Sequence, residues 1–126
     1  MRIFLLTGIL FFNLAGNTQA YKKLHFKSVL VDTHNDIPSA TIEKKVLFDS
    51  DLKGKTHSDL DRMKEGGIDV QVFSIFCGPE QAQPYDFANR EIDSVYEWTR
   101  RNPGKMMIVK TPLQLKQALK IGRAHV

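Results

Sequence analysis

Ser28-Val29-Leu30-Val31 is a short apolar run, and Asp32-Thr33-His34-Asn35-Asp36 follows it as five consecutive polar residues. An apolar run of this length, bounded by polar chain, reads as a strand buried on both faces, as a parallel sheet requires. Pro38 lacks the N–H that a central strand needs, so the strand cannot simply continue. Downstream, a polar connection leads to Thr56-His57-Ser58-Asp59, where Thr56 or Ser58 is placed to cap a helix. That helix includes Leu60 and Met63 and stops at Gly66-Gly67. Residues 68–76 are rich in β-branched and aromatic side chains and read as a second strand, closed by Gly78-Pro79.

Ala88, Ile92, Val95, Tyr96 and Thr99 recur at helical spacing, which predicts a helix over residues 85–101 with one buried stripe. Asn102-Pro103-Gly104 ends it, and Met106-Met107-Ile108-Val109 reads as a third short strand. Thr111-Pro112 then supplies an N-cap and an N1 proline, with Gln114 completing a capping box. Alternating strands and helices imply an α/β fold with right-handed crossovers and a parallel sheet. A doubly wound sheet and a (β/α)8 TIM barrel both fit. No Gly-x-Gly-x-x-Gly turn follows the first strand, which weighs against the doubly wound dinucleotide fold. A barrel takes about 250 residues. Residues 21–120 hold three β/α units, so the expectation is the N-terminal part of an incomplete barrel.

The ends of the chain read differently from its middle. Met1-Arg2 precedes an apolar stretch from Ile3 to Ala15, and Thr18 and Ala20 are the small residues that a signal peptidase reads. Residues 1–20 are therefore expected to be a secretory signal cleaved between Ala20 and Tyr21, making the protein exported, periplasmic or secreted. A bilayer-spanning helix needs roughly 20 apolar residues, more than this run supplies. No cysteine lies near the cleavage point, which argues against a lipid anchor. At the other end, Ile121-Gly122-Arg123-Ala124-His125-Val126 is what one reading frame of a common sequencing adapter encodes. The genuine protein is expected to run to about Lys120, leaving residues 121–126 an artefact and His125 without function.

The chain has 126 residues and a formal charge of +4; setting aside Arg2 and Arg123 lowers the balance to +2. No basic stripe with interleaved aromatics is present, so nucleic acid is not an expected partner. Cys77 is the single cysteine, and it is expected to pack rather than react. His57 reads as a solvated or capping histidine and His25 as exposed. Trp98, next to the buried stripe of its helix, is expected to pack against the barrel, and Gly66-Gly67 to serve the fold.

In a barrel, functional groups sit at the C-terminal ends of strands, where Asp32-Thr33-His34-Asn35-Asp36 falls. Side chains two apart on a strand share a face, so His34 and Asp36 can aim at one point. An imidazole nitrogen and a carboxylate oxygen are good zinc donors. Asp32 falls on the same side and could orient His34 from behind. A capped loop would present similar residues, and the spacing alone does not separate the two.

Val31-Asp32-Thr33-His34-Asn35-Asp36-Ile37-Pro38 resembles the opening motif of the membrane (renal-type) dipeptidases, peptidase family M19, usually Val-Asp-Gly-His-Asn-Asp-Leu-Pro. Residues 56–74 resemble the family's second signature: a His-Thr-Asp-like start, a Gly-Gly break and a Gln-x-Phe/Trp-Ser strand. The two motifs stand in the right order at the expected separation, and the likeness covers nearly all of residues 28–120. Thr33 departs from the usual glycine, at a position expected to face away from the metals. The resemblance implies a metal-dependent hydrolase barrel holding two zinc ions, with His34 and Asp36 as ligands of the first. The bridging glutamate, two later histidine ligands and a proton-transfer aspartate are then expected beyond Lys120, so no catalytic residue is assigned within the chain.

The activity implied is hydrolysis of dipeptides, a metal-bound hydroxide attacking the peptide carbonyl. The substrates are dipeptides, and a homodimer is one assembly open to the complete protein. Two other readings stand beside this one. Other metal-dependent hydrolases on the barrel mostly open with His-x-His, which Asp36 replaces here. A non-catalytic exported binding protein on the same barrel would carry a degenerate site.

Overall fold

The computed structural model describes residues 19–120. The expected signal sequence, apart from its last two residues, and the six terminal residues expected to be adapter-derived lie outside them. Residues 19–27 are helical and exposed. They lead into a strand β1 (Val31–Asn35), helices α1 (Ile37–Lys44) and α2 (Leu60–Glu65), strand β2 (Val70–Phe73), and helices α3 (Pro84–Arg101) and α4 (Pro112–Lys120). The two strands pair in parallel. The architecture is mixed α/β, with α3 laid across α1.

The strand β1 lies further along the chain than its apolar content predicts. Pairing starts at Leu30, whose carbonyl accepts the Asp69 and Val70 N–H groups and whose own N–H donates to Asp69 Oδ2 at 2.8 Å. It continues with Val31 opposite Val70, Asp32 opposite Gln71 and Asn35 opposite Phe73. A partner strand, not hydrophobicity, decides where a ladder runs, so the polar residues belong to the strand itself. Nor is β1 buried on both faces: Val29 and Val31 are 55% and 48% exposed, because among the described residues β1 has β2 as its one neighbour.

Pro38 marks the first turn of α1 rather than a simple break, a place where its missing N–H is harmless. The Asn35 side chain accepts the Ile37 N–H at 3.0 Å and turns the chain into the helix. Lys45 ends α1 in a left-handed conformation at φ 54°, with Val46 N–H returning to the Thr41 carbonyl. For α2, Asp59 rather than Thr56 or Ser58 is the N-cap. Its carboxylate accepts the Arg62 N–H at 2.9 Å, the Arg62 Nε–H at 2.6 Å and the Leu52 N–H at 3.1 Å. Gly66-Gly67 does close α2. Gly67 has φ 74°, and a Cβ there would press on the Phe26 ring at 3.0 Å.

The core forms where α3 meets the sheet. Phe48, Phe73 and Trp98 pack with ring centroids 4.5–5.9 Å apart, joined by Ile37, Leu60, Met63 and Met106. The α3 helix runs as its periodicity predicts, but the buried stripe is Phe87, Glu91 and Trp98. Ile92 and Tyr96 instead are 40% and 47% exposed. The third predicted strand forms no ladder among the described residues. Met107 and Val109 still pack beside Val70 and Ala118, so side-chain burial is achieved there without backbone pairing. In the turn before α4, Gln114 donates its N–H to Thr111 Oγ1 at 3.2 Å, as a capping box requires. Its side chain reaches one residue further back than expected and accepts the Lys110 N–H.

Candidate metal centre

Where β1 ends, His34 Nε2 and Asp36 Oδ1 stand 3.3 Å apart. Two donors held about 2.0–2.2 Å from a tetrahedral zinc ion would be separated by about 3.4 Å. The pair therefore fits half of such a shell. Both side chains are open, 71% and 54% exposed, and face a cleft of about 280 Å3 also lined by Lys44, Thr56, His57 and Ser58. Among the described residues no third histidine, cysteine, aspartate or glutamate joins them in a metal-holding group.

The way β1 delivers the pair differs from simple alternation. Three steps from Asp32 to Asn35 face two steps from Gln71 to Phe73, so the register slips by one residue. Such a slip leaves one residue of the longer strand without a direct partner and re-aims its neighbours. The slip falls between Asp32 and Asn35, the stretch that holds His34. The Asp32 carboxylate accepts the His34 backbone N–H at 3.1 Å, steadying the main chain rather than the imidazole. Asn35, between the two donors, is tied down on every side. Its amide donates to Ser58 Oγ and to Gln71 Oε1, both at 3.4 Å, and its backbone carbonyl accepts the Ser74 N–H at 3.0 Å.

Gln71 is buried and donates to the Asp32 and Val72 carbonyls, so the floor of the site is a connected polar network. Neither Asn35 nor Gln71 is singled out by residue type; their role depends on strand register. His57 is exposed, as expected, yet it shares the cleft with His34 and Asp36. Lys44 spans from α1 and donates to the Lys55 carbonyl at 2.6 Å. Cys77 is half-buried, with Sγ donating to the Pro84 carbonyl at 3.2 Å. Glu91, on α3, is fully buried and accepts the Phe76 N–H at 3.4 Å. Burial pushes its carboxyl above the usual range, and the nearby charges of Asp36 and Glu43 add to this against the pull of the Phe76 hydrogen bond.

Fold and site together define a mixed α/β chain whose leading parallel strand ends in a two-donor candidate metal centre. The profile of the membrane dipeptidase family, peptidase family M19, matches residues 18–126, and the chain belongs to that family. The likeness carried by the two motifs is thereby borne out. Among the described residues no helix is long and apolar enough to cross a membrane.

Proposed function

We propose that this chain is the N-terminal part of an exported zinc-dependent dipeptidase built on a (β/α)8 barrel. The observation that carries the reading is the convergence of His34 and Asp36, at zinc-ligand spacing, on the exit of the first strand of a peptidase family M19 chain. Parallel pairing of β1 with β2 supports their place as the first two barrel strands. His34 and Asp36 hold the first of two metal ions, and Asn35 locks the backbone between them. Zinc, when bound, supplies a Lewis acid and lowers the pKa of its water to about 7. The cleft beside the pair admits a small peptide, while Asp32 and Gln71 keep the strand end rigid beneath it. Residues 1–20 direct export and are removed, and residues 121–126 derive from adapter.

The remaining donors lie outside the chain, so the 126-residue chain by itself is inactive. The test is zinc content and hydrolysis of simple dipeptides by the full-length protein, with and without a chelator. Two zinc ions lost together with activity are expected. Chelator-insensitive hydrolysis would overturn the mechanism, and zinc and dipeptide binding without turnover would make the protein a binding module.

A further inference from the structure

The one buried side-chain oxygen without a hydrogen-bond partner among the described residues is Glu91 Oε2. A carboxyl group is rarely left fully buried and half-satisfied, because a polar atom taken out of water without a partner forfeits its hydration. Such a residue in the middle of an otherwise apolar stripe, between Phe87 and Trp98, invites a reason beyond packing. Its other oxygen supplies one. Glu91 Oε1 accepts the N–H of Phe76, in the extended segment that leaves β2. Two residues earlier in that segment, the Ser74 N–H holds the carbonyl of Asn35. Asn35 lies between His34 and Asp36. A continuous path of backbone and hydrogen bonds thus runs from the α3 interior to the metal pair.

We propose that Glu91 is a positioning residue for His34 and Asp36, acting from the buried face of α3 through the backbone of residues 74–76. The charged groups near it are Asp36 at the N-cap of α1 and Glu43 within α1, both acidic. Burial is the main reason the Glu91 carboxyl sits above its ordinary range, the Phe76 hydrogen bond opposes it, and these two charges add to it. The Glu91 carboxylate oxygen anchors the exit of β2 by accepting the Phe76 N–H. This role rests on the metal-binding reading given above.

The test compares Glu91→Gln and Glu91→Leu in the full-length protein, reading zinc affinity by competition with a chromogenic chelator and thermal unfolding of the metal-free form. Glutamine keeps shape and an acceptor for Phe76, so zinc affinity should stay within about threefold of wild type. Leucine keeps bulk but offers no acceptor, and should weaken zinc about tenfold or more, the range found for groups that orient ligands. Zinc binding by Glu91→Leu equal to wild type would overturn the proposal. So would equal losses in both variants, since the acceptor that glutamine keeps would then not be what matters. A wild-type protein that binds no zinc would overturn the proposed function, and this role with it.

Discussion

Along the same two strands the chain builds two regions with opposite character. On the helix side of β2, Phe73 sits against Phe48 and Trp98, with its neighbours buried and the aromatic rings in edge and tilted contacts. At the exit of β1, His34 and Asp36 stand in the open, held by a polar network that acts on backbone and not on their own tips. The first region supplies stability through area removed from water. The second supplies donors that must stay accessible to do chemistry. Substitutions should therefore separate: core changes shift unfolding, and exit changes shift metal binding.

The largest effect is expected at Trp98. Trp98→Ala should destabilise the full-length protein by about 3–5 kcal/mol in urea unfolding, and a loss under about 1 kcal/mol would mean that the aromatic cluster does not hold α3. Next comes Asp49, which receives two hydrogen bonds from Arg101 and one from Asn102. Chiefly the Arg101 hydrogen bonds hold its pKa down at about 2, against the ordinary 3.8. A carboxylate depressed in the folded state stabilises it above pH 3.8, and the contribution is lost as pH falls toward 2. It amounts to about 2 kcal/mol. Asp49→Asn should remove that part of the acid limb in melting temperatures recorded between pH 5 and 2.

A smaller effect is expected for Asp59→Ala. Burial pushes this carboxyl up, but hydrogen bonds from Arg62 and Leu52 outweigh it and leave the pKa lowered. Loss of the cap should cost about 1–2 kcal/mol, read by thermal unfolding. The smallest shift in stability belongs to the exit. His34→Ala and Asp36→Ala in the metal-free protein should stay within about 0.5 kcal/mol of wild type, as exposed substitutions do, while zinc retention measured by dialysis is lost. A large destabilisation there would erase the contrast between the two regions.

What the sequence made legible follows the same division. The α3 helix is long, amphipathic and closed by Asn102-Pro103-Gly104, so its extent is plain from periodicity. Its buried face is legible only at Trp98, because apolar residue types favour Ile92 and Tyr96 whereas the helix in fact buries Phe87 and the acidic Glu91 beside Trp98. The α1 helix escapes a reading in which Pro38 is a stop, since only the Asn35 turn shows it to be a start. Met106-Met107-Ile108-Val109 has the composition of a strand but finds no partner strand among the described residues, and a ladder cannot be inferred from one side. His34 and Asp36 stand out as donors two residues apart at a strand end. The register slip between Asp32 and Asn35, and the bonds through Asn35, Ser74 and Phe76, depend on which residues β2 brings opposite. No local pattern contains that information.

The central claim is that one imidazole and one carboxylate share a zinc ion at the end of β1. Diffraction from crystals of the full-length protein, recorded on both sides of the zinc absorption edge, tests it directly. The account predicts an anomalous peak about 2.0–2.2 Å from both His34 Nε2 and an Asp36 carboxylate oxygen. Zinc found elsewhere, or these two side chains turned apart with no ion between them, would contradict it.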